Sequence, residues 1–96
     1  MNNEIKKQLK TILENGNEGA LVIINLREDT SSPFTQRLLK QGWNYQLLAM
    51  DIDCIEYYLE SGDIDGEGYG EEQSIEQAEK TAKSYLGHLN GYVIVK

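Results

Sequence analysis

Trp43-Asn-Tyr-Gln-Leu-Leu-Ala-Met-Asp-Ile-Asp-Cys-Ile-Glu-Tyr-Tyr-Leu-Glu60 is the stretch on which the fold turns. Trp43, Tyr45, Leu47 and Ala49 recur at every second position, with Asn44 and Gln46 between them, which predicts a strand with one apolar face. Ile55, Tyr57 and Leu59 then alternate with Glu56, Tyr58 and Glu60. The same period predicts a second strand, with an acidic and aromatic outer face. Asp51 to Asp53 is either the tight connection between two strands or the bend in a single one.

Working outward toward the C-terminus, Ser61 to Gly70 reads as a turn that returns as a third, weak strand, since Gly66, Gly68 and Gly70 supply little side-chain packing. Ser74-Ile-Glu-Gln77 is a capping box, and Ile75, Ala78, Ala82, Tyr85, Leu86 and Leu89 continue one face of a helix. Glu76 and Glu79 each have a lysine four residues on, Lys80 and Lys83, so paired charges are expected along that helix. Asn90-Gly91 then turns the chain into a final strand, Tyr92 to Val95.

Toward the N-terminus, Ser32-Pro33 supplies a cap and first turn for a short helix buried through Phe34, Leu38 and Leu39 and closed at Gly42. Ala20 to Ile24 is continuously apolar and β-branched, the mark of a strand covered on both faces. Ile5, Leu9, Ile12 and Leu13 draw one apolar stripe along a helix that ends near Asn15-Gly16, with Lys6, Lys7 and Lys10 opposite. The fold class expected is therefore α+β, a single small domain of 96 residues in the order α-β-α-β-β-β-α-β, its sheet mostly antiparallel and packed by helices.

Charge is distributed very unevenly. Asp51 to Glu79 holds eleven acidic residues and no Lys or Arg, while the remainder holds nine basic and five acidic ones. A net charge of −7 argues against nonspecific binding to nucleic acid or anionic lipid, and the longest apolar run is too short to span a bilayer, so no membrane association is expected. The opening residues carry no apolar signal region, and the lone Cys54 suits a reducing compartment. Cytoplasmic location follows, that of a host cell if the chain is phage-encoded.

The motifs that carry chemistry are incomplete. Asp63-x-Asp65-x-Glu67-Gly68 resembles the first half of a calcium loop, but Gly70 and Ser74 stand where an apolar residue and a bidentate Glu are needed. Gly66-x-Gly68-x-Gly70 follows no apolar strand and is trailed by Glu71 and Glu72, so it is no phosphate cradle. Cys54 lies between Asp53 and Glu56, which oppose thiolate formation, and His88 has no second ligand beside it. No catalytic residues, metal or cofactor are expected, and the chain reads as a non-enzyme.

From Pro33 to Leu89 the expected order of helix, three strands and helix, with the glycine run and the Ser74, Ala78, Ala82 spacing, resembles the double-stranded-RNA-binding domain. Ile75, Glu76 and Glu79 stand where that family has phosphate-binding lysines, so the resemblance implies a fold and no RNA-binding residue. In size and acidity the chain also looks like small phage anti-defence proteins of the anti-CRISPR type. That likeness implies a non-catalytic module, an inhibitor whose partner is a protein with a basic, nucleic-acid-binding surface; an immunity protein would have the same composition. The residues expected to meet the partner are Glu56, Tyr58, Glu60, Asp63, Asp65, Glu67, Tyr69, Glu71 and Glu72. The alternative is a diverged nucleic-acid binder using the basic side made by Lys6, Lys7, Lys10, Arg27, Arg37 and Lys40.

Overall fold

The apolar run after Gly19 forms the spine of the molecule, because every side chain from Ala20 to Ile24 is buried and both faces of that strand need cover. A computed structural model describes residues 3–28 and 33–96; Ser32, read as a helix cap, and the Phe34 side chain lie outside the described residues. Helix α1 (Asn3–Glu14) leads into strand β1 (Gly19–Asn25), a short 3-10 turn at Leu26–Glu28, helix α2 (Pro33–Lys40) and strand β2 (Tyr45–Asp51). Helix α3 (Ile52–Ser61), strand β3 (Glu67–Glu72), helix α4 (Ile75–Leu86) and strand β4 (Tyr92–Val95) complete the order.

The four strands lie in the order β3-β2-β1-β4. β2 is antiparallel to both β1 and β3, whereas β4 is parallel to β1, so the sheet is mixed with antiparallel pairing in the majority. α4 carries the chain from one sheet edge to the other and packs against all four strands on the way. The alternation along β1 divides the core in two. Ala20, Val22 and Ile24 join Leu48 and Met50 beneath Ile5, Leu9 and Ile12 of α1 and Ile55 of α3. Leu21 and Ile23 join Leu47 and Ala49 beneath Ala78 and Ala82 of α4, small residues that let the helix sit close to the sheet.

The small α+β domain is as expected, and so are α1, the doubly covered β1, α2, α4 and β4. One element is different: Ile55 to Leu59 is part of a helix, and Asp51 to Asp53 is its start. Alternating and helical periods both fit a segment this short, since Ile55, Tyr57 and Leu59 read as a strand while Ile52, Ile55 and Leu59 read as a helix stripe. The ends decide it. Asp51 is an N-cap whose carboxylate accepts the Cys54 N–H at 2.9 Å, and Gly62 closes the helix at φ 79 with its N–H on the Tyr58 carbonyl. Burial follows the helical period, with Ile55 and Tyr58 in the core and Cys54 and Leu59 packed beside them. Over Pro33 to Leu89 the order is therefore helix, strand, helix, strand, helix.

Smaller differences have local causes. β2 begins at Tyr45, because the Trp43 N–H is used in closing α2 on the Leu38 carbonyl. Ser74 does cap α4, accepting the Gln77 N–H, but Glu79 pairs with Lys96 beyond the end of β4, and Lys83 acts on it only at longer range.

Candidate functional site

Three strands end side by side at one end of the sheet, and their registers place Asp51 of β2 opposite Gly19 of β1 and Gly19 opposite Tyr92 of β4. The missing side chain at Gly19 is what the row depends on. A Cβ there would lie 2.6 Å from the Tyr92 ring and 2.6 Å from the Met50 carbonyl oxygen, so only glycine lets the ring fold across the strand. The ring carbon nearest that point is Cζ, which places the phenol end of Tyr92 over β1.

β3 adds the second wall. Leu47 pairs with Gly70 and Leu48 with Gly68, which leaves Tyr69 as the extra residue of a β-bulge. The bulge turns Tyr69 toward α4, where its ring stands 4.8 Å from that of Tyr85, and Glu67, opposite Ala49, falls on the same side of the sheet. Asp65 and Gly66 approach from the loop that follows α3, Glu67 from the start of β3, and Leu89 from the turn between α4 and β4. Together with Ala49, Asp51, Cys54, Tyr69 and Tyr92 they enclose an open cleft of about 360 Å³.

No basic side chain lines the cleft. Among the described residues, Asp51, Asp65 and Glu67 have no ion pair with a basic side chain. Local hydrogen bonds hold two of these acids: Asp51 caps α3, and Asp65 accepts the Gly66 N–H at 2.9 Å. The Cys54 N–H holds the Asp51 carboxyl below the usual carboxylate range. Burial raises Cys54, and the Asp51 carboxylate raises it further, so this thiol stays protonated at neutral pH. Burial raises Tyr92 as well, with Asp51 the next cause. Such a site attracts a cation and leaves its own phenol and thiol uncharged.

The nine residues expected to meet a partner fall into three groups. Asp65, Glu67 and Tyr69 converge on the cleft. Glu56, Glu60 and Asp63 are exposed on α3 and the following loop and do not line the cleft. The rest have other places. Tyr58 is buried in the core, 5% exposed, because the helical turn points it inward with Ile55, and Tyr57 is the exposed aromatic of α3. Glu72 accepts a hydrogen bond from the Thr81 hydroxyl at 2.8 Å and so fastens β3 to α4. Glu71 pairs with Gln46 toward the far end of β3 and does not line the cleft.

Asp51, Cys54 and Tyr92 are the cleft residues that sequence reading missed. In the sequence Asp51 reads as part of a strand connection and Cys54 as an unreactive thiol, and Tyr92 lies far from both along the chain. The one local signal was Gly19, standing just ahead of the most apolar strand.

The basic residues of the alternative reading are spread over α1, the 3-10 turn and α2. Arg27 is engaged with Asn25 Oδ1 and the Tyr45 hydroxyl and lies over the Tyr45 ring, 5.7 Å from its centroid. Lys6, Lys7 and Lys10 are exposed on α1 and Lys40 ends α2. Among the described residues, no three His, Cys, Asp or Glu side chains are arranged to hold a metal ion, and no helix is long and apolar enough to cross a membrane. Comparison with family models, with curated proteins and with solved structures found no match to this chain.

Proposed function

We propose that the chain is a non-catalytic protein-binding module whose acidic end engages a basic, nucleic-acid-binding surface of a partner protein, as anti-CRISPR and other phage anti-defence inhibitors or immunity proteins do. The observation that carries this reading is the convergence of Asp51, Asp65 and Glu67 on a tyrosine-walled cleft with no basic side chain in its lining. A single exposed ion pair contributes at most about 1 kcal/mol, so scattered carboxylates make a weak site. Three acids around one cleft act on the same incoming cation. The Tyr69 and Tyr92 rings add a cation–π contribution of roughly 0.5–2 kcal/mol to a guanidinium between them. Glu56, Glu60 and Asp63 outside the cleft supply long-range attraction, which raises the rate of encounter more than its strength.

The test is affinity capture from bacterial lysate at low and high salt, comparing the wild type with the triple variant Asp51→Asn, Asp65→Asn, Glu67→Gln. Basic nucleic-acid-binding proteins retained by the wild type at low salt and lost from the variant support the reading. Equal retention by both contradicts it. A gel shift of duplex RNA, abolished by replacing Lys6, Lys7 and Lys10, would support direct nucleic-acid binding instead.

A further inference from the structure

The two edges of the sheet are built differently. β3 carries Glu67, Glu71 and Glu72, two glycines and the Tyr69 bulge, all devices that prevent a further strand from pairing there. β4 reads Tyr-Val-Ile-Val, with no charge, proline, glycine or bulge, and its strand neighbour among the described residues is β1 alone. Nor is its flank closed. A groove of about 410 Å³ runs between α1 and β4, lined by Glu4, Lys7, Gln8, Thr11, Ile12 and Asn15 on the helix side and by Val93 to Val95 on the strand side.

We infer that β4 is the self-association edge of this chain, pairing antiparallel with β4 of a second copy about a two-fold axis to make one continuous eight-stranded sheet. This inference stands apart from the proposed function.

Charge placement selects that edge. The acidic residues are concentrated on α3, the loop after it and β3, whereas α1 holds Lys6, Lys7 and Lys10 against Glu4 and Glu14, and Lys96 at the end of β4 is balanced by its ion pair with Glu79. Pairing through β3 would press Glu67, Glu71 and Glu72 of two copies together. Pairing through β4 sets the two β3 edges about 34 Å apart, seven strand spacings of ~4.8 Å, several times the screening length of about 8 Å. The helices fit the same arrangement. α1 lies over both β1 and β4, so the two copies of α1 come about 10 Å apart, close to the usual 8–10 Å of packed helices.

The level of the axis along α1 follows from two contacts. Gln8 Nε2 donates to the Lys96 carbonyl and the Glu18 N–H to the Gly91 carbonyl, so α1 runs antiparallel to β4, and the middle of β4 lies level with Thr11 to Asn15. A four-residue strand and one helix flank cover less than the ~1,200–2,000 Å² of a standard interface, so the dimer is weak and depends on concentration.

Analytical ultracentrifugation from micromolar to millimolar protein tests this. The expected result is a shift from monomer to dimer and no larger species, with amide exchange at Val93 to Val95 slowing as concentration rises. The double variant Thr11→Lys, Asn15→Lys makes the chain less negative yet sets like charges across the axis, and it is expected to remain monomeric. A monomer throughout the range, open-ended growth, or a dimer that the variant leaves intact with unchanged exchange at β4 would overturn the inference. Should the variant fail to fold, the exchange of the wild-type amides decides alone.

Discussion

The Tyr92 ring lies across Gly19, so that a Cβ on the glycine would fall 2.6 Å from Tyr92 Cζ. That close approach joins the start of β1 to the start of β4 and forms the wall of the cleft nearest Asp51. A residue without a side chain, 73 positions away in the sequence, thus fixes the position of an aromatic ring in the candidate site.

Gly19→Ala is therefore expected to destabilise the fold by about 1–3 kcal/mol, the usual cost of overpacking, because the Met50 carbonyl on the neighbouring strand cannot move aside as a flexible side chain would. Urea unfolding measures this. Tyr92→Leu leaves the glycine in place and relieves the contact, so Gly19→Ala is expected to cost less in that background than in the wild type. Equal costs in the two would show that the ring is not held by Gly19.

The two tyrosines of α3 are expected to behave oppositely. Tyr58 is buried with Ile55, and Tyr58→Ala should cost about 3–5 kcal/mol, in the range of other large-to-small core changes. Tyr57 is 49% exposed, and Tyr57→Ala should stay within about 0.5 kcal/mol. Thermal unfolding of the two variants separates a helix over Ile52–Ser61 from a strand that presents Tyr58 outward.

Legibility from sequence was greatest where local pattern and packing agree. The unbroken apolar run of β1 and the capping box and alanine spacing of α4 each admit one reading. Ile55 to Leu59 admits two. What decides it is the Asp51 side chain reaching the Cys54 N–H, together with a core that accepts Ile55 and Tyr58 from the same side. The candidate site was partly legible for the same reason. Asp65, Glu67 and Tyr69 are neighbours in sequence, whereas Asp51 and Tyr92 meet only through the register of three strands. Tyr58 was misplaced because its direction depends on the type of element it belongs to.

Acid sensitivity follows from Asp51. The Cys54 N–H lowers its folded-state pKa below the unfolded value, so its ionised form stabilises the native state. That contribution is complete above the unfolded carboxylate range near about 3.9 and is lost as pH falls through the lower folded value. Asp51→Asn keeps a capping oxygen but cannot titrate, so its stability relative to wild type should rise as pH falls from about 5 to 2. Urea midpoints across that window check it; a constant difference would exclude the linkage.

Cys54 should be a slow thiol. Burial raises its pKa and the Asp51 carboxylate adds to the shift, so at neutral pH its reaction with a disulfide reagent is expected to be slower than that of a free thiol, and to go on rising with pH after a free thiol has levelled off. Asp51→Asn removes the second cause and is expected to speed the reaction modestly. A rate equal to or above that of a free thiol would contradict the burial and charge assigned to this position.

The acidic cleft as a receptor for a basic surface is tested most directly by amide chemical shifts during titration with an arginine-rich peptide. The expected result is saturable, salt-sensitive shifts concentrated at Asp51 to Cys54, Asp65 to Tyr69 and Tyr92, removed by the triple variant Asp51→Asn, Asp65→Asn, Glu67→Gln. Shifts spread evenly over the exposed carboxylates of Glu56, Glu60 and Asp63, or unchanged in the variant, would contradict a receptor built at this cleft.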